Sequence, residues 1–124
     1  MKKMFVLISH GLTQEQKSQA LKVFGVENII NIADDAWSNI SPSDENILYV
    51  LNRYKKELML EAEAGDILLV QGDFGATYNM INFAKNIGIK TIYATTKRMA
   101  QELVIDGKTI IKREFKHEKF REYL

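Results

Sequence analysis

Three polar segments of the chain carry side chains that could bind, and act on, a phosphate-bearing ligand. They are SHGLT at residues 9–13, QGDFGATY at residues 71–78 and TTKR at residues 95–98. Serine and histidine can supply a hydroxyl and a proton acceptor, while lysine and arginine bind phosphate. These residue types therefore indicate recognition of an anion, with or without chemistry upon it.

The segment QGDFGATY has the properties of an anion-binding turn. Gly72 and Gly75 allow the backbone to approach a ligand closely. A helix that starts near Ala76 and Thr77 would offer unpaired N–H groups and the positive end of its dipole. The alternative is a tight turn capped by Asp73. A dinucleotide fingerprint and a Walker loop are both excluded, because the glycine spacing is wrong and no lysine follows the second glycine.

The segment TTKR brings two hydroxyl groups and two cations together. Arg98 can bind phosphate through two nitrogens and Lys97 can act as a point charge. The alternative is an ordinary basic helix start, although cations are mildly unfavourable at that end of a helix dipole. The pattern favours phosphate binding.

The histidines and the single tryptophan each have a functional and a structural interpretation. His10 follows the first strand beside a glycine and is either a ligand-site residue or an ordinary surface residue. His117 lies in a basic terminal stretch that is either part of the site or a solvated tail. Trp37 either stacks on a base or belongs to the core. The scattered carboxylates form no metal set, and Ser9 has no triad support in the spacing.

Apolar runs alternate with helical patterns along the chain, as in parallel βαβ units. The predicted strands are residues 4–9, 29–32, 67–70 and 91–94. The predicted helices run from a Thr13 cap to Gly25, from Ser41-Pro42 to Gly65, and from the QGDFGATY turn to about Ile87. Residues 34–43 are polar and turn-rich, and the terminal KHEKFREYL is charged and irregular. Asp106-Gly107 predicts a hairpin between arms at residues 102–105 and 108–115.

The pattern predicts one α/β domain over residues 1–124, a small Rossmann-like three-layer domain with a mostly parallel sheet and a C-terminal β-hairpin. In such sheets, ligands bind beyond the carboxyl ends of the strands. SHGLT, QGDFGATY and TTKR each follow a predicted strand. We therefore expect all three segments to meet at one edge of the sheet.

Composition limits the classes of function. The chain has 17 basic and 16 acidic side chains, and this balance argues against binding long nucleic acid through charge alone. The absence of cysteine excludes disulfides and thiolate chemistry. No apolar run reaches the roughly 20 residues needed to cross a bilayer. We expect a cytoplasmic protein without a membrane partner.

The segments FVLISHGLT, AWSNISP, GDILLVQGDFGATY, ATTKR and FKHEKFREY together resemble the small stand-alone Csx-type CRISPR-associated proteins of type III systems. The resemblance implies a ring nuclease, a homodimer that binds cyclic tetra-adenylate and cleaves it to linear di-adenylate. Such cleavage switches off antiviral signalling. No metal ligand set is needed if a ribose 2′-OH attacks the neighbouring phosphodiester, so we expect a metal-independent reaction without a cofactor.

Two alternatives stay open: a non-catalytic protein that sequesters the cyclic oligoadenylate, and a phosphate-handling α/β enzyme unrelated to CRISPR. For the ring nuclease, we expect His10, or else Ser9, to orient or deprotonate the 2′-OH, with Lys97 as the third catalytic candidate. The expected ligand-binding residues are Gly11, Trp37, Gln71, Gly72, Asp73, Phe74, Gly75, Ala76, Thr77, Tyr78, Thr95, Thr96, Arg98 and His117.

Overall fold

The computed structural model describes residues 2–124 as a mixed α/β fold around one sheet. The sheet has five strands in the order β2-β1-β3-β4-β5, and all neighbours are parallel except β4 and β5. A mostly parallel sheet with a C-terminal hairpin was predicted, and is confirmed. The elements are β1 (Lys3–Leu7), α1 (Gln14–Phe24), β2 (Asn28–Asn31), α2 (Asp35–Ser38), α3 (Leu48–Glu61), β3 (Ile67–Val70), α4 (Phe74–Asn86), β4 (Lys90–Ile105) and β5 (Lys108–Glu122).

The central strands are buried on both faces, so their side chains divide between two apolar clusters. Met4 and Val6 of β1 join the cluster that contains Ala20 of α1. Phe5 and Leu7 join the cluster formed with α3 and α4. Because the apolar runs in β1 and β3 are continuous, these strands bury apolar side chains on both faces of the sheet, as expected for buried parallel strands.

The start of α1 was predicted correctly from its capping pattern. The Thr13 side chain accepts a hydrogen bond from the Gln16 amide at 3.1 Å, and the Gln16 side chain accepts one from the Thr13 amide at 3.0 Å. Gly25 ends the helix in the left-handed region at φ 67°. The Thr13 cap sets where α1 begins, and therefore where the SHGLT segment between β1 and α1 ends.

The strand order creates a crevice between β1 and β3. From β1 the chain moves to β2 on one side, whereas from β3 it moves to β4 on the other. Leu7 lies level with Val70, and the Gln71 amide donates to the Leu7 carbonyl at 3.1 Å. SHGLT and QGDFGATY therefore leave adjacent strands at the same edge, where ligands bind in sheets of this order.

The predicted helix start at Ser41-Pro42 was wrong. The helix α3 begins at Leu48, and a short helix α2 lies inside the stretch expected to be turns. Local side-chain bonds explain the difference. The Asp34 carboxylate caps α2 by accepting the Trp37 amide, while the Ser41 hydroxyl accepts the Ser43 amide and closes a turn in place of a helix.

The C-terminal hairpin is much longer than predicted. Its turn is Asp106-Gly107 as expected, with φ of 51° and 72° at the two residues. However, β4 runs without a break through TTKR, and the terminal stretch expected to be irregular forms the inner half of β5. Beyond Ile92, β4 is paired with β5 alone. We call residues 96–105 and 108–117 the ribbon.

Asp66 is a buried carboxylate at the amino end of the sheet, opposite the candidate site. It accepts hydrogen bonds from the Lys3 amide at 3.0 Å and the Glu63 amide at 2.8 Å, and pairs with the Lys3 ammonium at 3.2 Å. Burial alone would raise the pKa of this carboxyl. The hydrogen bonds from Glu63 and Lys3, together with the Lys3 charge, outweigh burial and hold the pKa below its usual value.

Replacing Asp66 with alanine should destabilise the fold strongly, because three donors lose their acceptor. We expect a loss of about 3 kcal/mol in the free energy of unfolding at pH 7, measured by urea denaturation. Because the folded pKa lies below the unfolded value of 3.8, this contribution is present above pH 3.8 and is lost as pH falls through the folded pKa. The control is Glu63→Ala, which keeps the amide bond; equal stability of both variants would contradict the assignment.

Candidate functional site

The SHGLT segment lies exposed at the carboxyl end of β1. His10 Nδ1 makes a hydrogen bond with the Gly11 carbonyl oxygen at 3.1 Å. A shallow depression of about 230 Å³ lies between this segment and the connection from β2 to α2. It is lined by Ile8, Ser9, His10, Gly11, Asn31, Ala33, Asp34, Asp35 and Ser38, and we call it the His10 depression.

Asp34, which was not among the residues predicted for the site, lines the His10 depression. Its carboxylate accepts hydrogen bonds from the Tyr54 hydroxyl and the Trp37 amide and pairs with the Arg53 guanidinium. The Tyr54 bond lowers the pKa of Asp34 most, and the lowering exceeds the opposing effect of burial. The available signal was the Asp-Asp pair before a helical AWS segment, a typical N-cap. An ionised Asp34 adds a negative charge to this lining.

The QGDFGATY loop is fixed to the fold through Gln71. The backbone carbonyl of Gln71 accepts a hydrogen bond from the Trp37 indole nitrogen at 3.1 Å. Its side-chain oxygen accepts one from the Ala94 amide of β4 at 2.9 Å. Since β1 also bonds the Gln71 amide, one residue joins three parts of the chain at the carboxyl edge.

Trp37 lies beneath this loop and has no exposed face for a base. It is 2% exposed and packs edge-on against Tyr54, with ring centroids 5.6 Å apart. A Cβ atom on Gly72 would lie 2.9 Å from the indole nitrogen. Trp37 is thus a core residue and not the exposed stacking residue that was expected, and its contact with the loop gives a structural reason for glycine at position 72.

The first turn of α4 is capped by the chain itself. Asp73 accepts the Ala76 amide on its carboxylate at 3.0 Å and the Thr77 amide on its carbonyl at 2.9 Å. Ala76 and Thr77 are both buried. The turn is therefore capped by Asp73, which was the alternative to an anion site at this helix start. The Asp73 carboxylate occupies the place where an anion would bind the helix. Within this loop, the exposed backbone that an anion could contact is that of Gly72–Gly75.

An apolar groove of about 440 Å³ opens beside this loop. Phe74 and Tyr78 lie one turn apart on α4 and are 94% and 66% exposed. Tyr123, which sequence reasoning missed, forms the opposite wall and donates its hydroxyl to the Val70 carbonyl at 2.7 Å. Thr77 also borders the groove, but its hydroxyl oxygen is buried and has no hydrogen-bond partner among residues 2–124. We call this the aromatic groove; its lining is Gln71, Gly72, Phe74, Thr77, Tyr78, Ile81 and Tyr123.

A strongly basic surface continues from the aromatic groove along β4 and β5. The Tyr123 ring lies 4.6 Å from that of Tyr93, whose hydroxyl accepts a hydrogen bond from Arg121 at 3.2 Å. Strand alternation and the pairing register place further cations on this same face. Glu114, paired with Lys112 at 3.1 Å, is the acidic residue among them. The basic face consists of Lys97, Lys108, Lys112, Lys116, Lys119 and Arg121.

TTKR does not form the single two-cation cradle expected from sequence. Because the segment is a strand, Lys97 and Arg98 lie on opposite faces. Lys97 belongs to the basic face, whereas Arg98 lies over the Phe115 ring at 5.5 Å. The Thr95 hydroxyl is occupied at a β-bulge, donating to the Lys119 carbonyl at 2.9 Å and accepting the Lys119 amide at 3.2 Å. Thr96 is exposed opposite His117 in the register.

His117 is a buried structural residue, contrary to its expected place in the ligand site. Its Nε2 donates to the Gln19 side-chain oxygen at 2.6 Å, and its Nδ1 accepts from the Gln16 side-chain nitrogen at 3.5 Å. This arrangement requires a neutral ring and fastens α1 to β5. Burial lowers the pKa of His117, against the opposing charges of Glu15 and Glu118.

The structure therefore divides the predicted site residues between two places. Ser9, His10 and Gly11 line the His10 depression, which follows β1. The exposed part of QGDFGATY lines the aromatic groove, which follows the neighbouring strand β3. Within residues 2–124 no three histidine or carboxylate side chains are grouped as a metal site. No helix in the same range has the length and apolarity to cross a membrane.

Gly72→Ala should destabilise the protein because the added methyl group meets the indole ring. We expect a loss of about 1–3 kcal/mol, measured by urea denaturation followed through fluorescence of the single tryptophan. Gly11→Ala is the matched control, since a Cβ atom there meets nothing within 4 Å. A Gly72 variant as stable as the Gly11 variant would refute the close contact.

The stability of the fold should decrease below about pH 6.5 because of His117. Its pKa in the folded state lies below the ordinary histidine value of 6.5, so its contribution is full above that pH and is lost as pH falls through the folded pKa. His117→Asn should therefore flatten the dependence of Tm on pH between 7.5 and about 5. His10→Asn serves as the control and should retain the dependence of the native protein; a flat native profile would contradict the assignment.

Comparison with known proteins gives the chain a family. The family model described as "Uncharacterized protein MJ1673 family" matches residues 2–121. The protein named "Uncharacterized protein MJ1673" of Methanocaldococcus jannaschii is 44% identical over 126 residues, covering 99% of this chain and 98% of that protein. No solved structure matches the chain. The chain belongs to the MJ1673 family.

Proposed function

We propose that the protein is a cytoplasmic ring nuclease that binds cyclic tetra-adenylate and cleaves it to linear di-adenylate, switching off type III CRISPR signalling. The observation that carries the proposal is the direct continuation of the aromatic groove into the basic face through Tyr123, Tyr93 and Arg121. Flat apolar surface beside a row of cations suits a ligand made of bases and phosphates. The resemblance to Csx-type proteins supplies the identity of that ligand.

The aromatic groove would hold adenine. Phe74 and Tyr78 present exposed rings, and stacking on an aromatic side chain contributes about 1–3 kcal/mol per base. The Gln71 and Gly72 backbone borders the groove beside these rings. A base in the groove would leave its ribose and phosphate at the exposed rim of the loop.

The basic face would hold the phosphates. Lys97, Lys119 and Arg121 lie nearest the groove in the strand register. Because the whole chain has a net charge of only +1, this local excess of cations suits a compact anion better than a long nucleic acid. The fold proposed is a Rossmann-like three-layer domain, which the strand order and the helix-lined clusters on both sheet faces support.

Cleavage would proceed without a metal. The ribose 2′-oxygen forms a bond to the adjacent phosphorus, and the bond from phosphorus to the next 5′-oxygen breaks, leaving a 2′,3′-cyclic phosphate. His10 takes the proton of the 2′-OH, or Ser9 orients this hydroxyl while water takes its proton. A water molecule gives a proton to the leaving 5′-oxygen, and Lys97 stabilises the added phosphate charge. The ring must then extend from the aromatic groove across the end of β3 to the His10 depression.

A non-catalytic binding protein is the second candidate, and the surroundings of His10 favour it. The lining of the His10 depression includes Asp34 and Asp35 but no lysine or arginine, so it supplies no cation to hold a phosphate. His10 has one hydrogen bond, to its neighbour Gly11, so its ring is not held by a second residue. Such a protein would bind the same ligand and sequester it intact.

Labelled cyclic tetra-adenylate incubated with protein and EDTA separates these candidates. Release of linear di-adenylate supports the nuclease, and tight binding with an intact ring supports the sequestering protein. His10→Ala should keep ligand affinity but reduce the single-turnover rate by about 100-fold or more. Neither binding nor cleavage at excess protein would overturn the proposal.

The groove is tested separately through affinity. Phe74→Ala and Tyr78→Ala should each weaken binding by about 10-fold, because each removes a stacking surface. Tyr49→Ala is the matched control, since Tyr49 is also an exposed aromatic residue but lies on α3 away from the groove. Unchanged affinity in both groove variants would remove the groove from the site.

A further inference from the structure

The ribbon is a two-stranded element with exposed apolar side chains on both of its faces. Phe115 is 67% exposed and Val104 is 74% exposed on one face, while Ile105 and Ile110 are exposed on the other. A two-stranded hairpin without further cover is only marginally stable in water. Exposed apolar surface of this kind marks an interaction site.

The outer edge of β5 is open for pairing. β5 is the last strand of the sheet, so the backbone groups along the outer side of its ribbon part, residues 108–117, have no strand partner within residues 2–124. Nearer the sheet, the Gln19 side chain bonds the Glu118 carbonyl and the Phe120 amide. An open edge is a template for adding another strand. Lysines along such an edge discourage indiscriminate pairing, so the added strand must supply matching acidic residues.

The charges along β5 are complementary to those of a second, antiparallel copy of β5. When two copies of β5 run antiparallel with Phe115 opposite Phe115, Glu114 faces Lys116 of the second copy. The same register brings Lys112 opposite Glu118, the extra residue at the bulge. Each pair occurs twice about the two-fold axis. We infer that the ribbon is a homodimer interface in which β5 edges pair about Phe115, giving the continuous order β4-β5-β5-β4.

In this dimer, each ribbon gains a neighbouring strand, and the two candidate ligand surfaces lie on the same side. The second ribbon doubles the width of the two-stranded element, and Phe115 meets its own copy at the axis. A two-fold axis perpendicular to the sheet keeps equivalent faces on the same side. The two basic faces would therefore form one surface flanked by two aromatic grooves. The interface itself is independent of the proposed ligand and is tested without it.

A cysteine placed at the axis gives a direct test, since the chain has no cysteine of its own. Phe115→Cys should form a disulfide-linked dimer under mild oxidation, because opposed residues on paired strands lie within disulfide range. Val104→Cys is the matched control, equally exposed and on the same face of the ribbon but on the other strand. Rapid cross-linking of Phe115→Cys alone supports the interface; equal rates, or none, overturn it.

Charge exchange tests the register. In sedimentation experiments the native protein should be a dimer, and Glu114→Lys or Lys116→Glu alone should weaken the dimer by about 10-fold or more through like-charge pairs. The double variant Glu114→Lys/Lys116→Glu should restore it, since both pairs are then complementary again. A monomeric native protein, or a double variant weaker than either single variant, would overturn the inference. Circular dichroism checks that each variant is folded.

Discussion

The contact between the Trp37 indole and the QGDFGATY loop determines how this fold presents its site. The indole nitrogen bonds the Gln71 carbonyl, and the ring leaves space only for a glycine at position 72. α2, which carries the indole, is itself held by the Asp34 cap and its bonds to α3. α2 therefore supports the loop through Gln71 and Gly72, directly before the exposed Phe74.

Much of the fold was readable from sequence because its signals are local. Buried strands in β1 and β3, the Thr13 cap, and the Asp106-Gly107 turn each depend on a few adjacent residues. The length of the hairpin was not readable, because TTKR and the terminal stretch become strands only by pairing with each other across many residues. Pairing over such a distance leaves no mark in local composition.

The candidate site was predicted in part for the same reason. The sequence correctly placed SHGLT and QGDFGATY at one sheet edge, since that follows from strand order. Tyr123 and Asp34 were missed because their roles depend on contacts with distant residues, Val70 and Tyr54. His117 was expected in the ligand site, or else in a solvated tail, because of its basic neighbours, whereas α1 covers it with two glutamines.

The bulge opposite Thr95 sets which way the charges of β5 point. Because Glu118 is an extra residue, Lys116 and Lys119 lie on one face although they are three positions apart. A strand without the bulge would turn every side chain from residue 117 to the tip onto the opposite face of the ribbon. One inserted residue thus places the cations of the ribbon on the same face as Lys119 and Arg121, where Glu114 is the acidic residue among them.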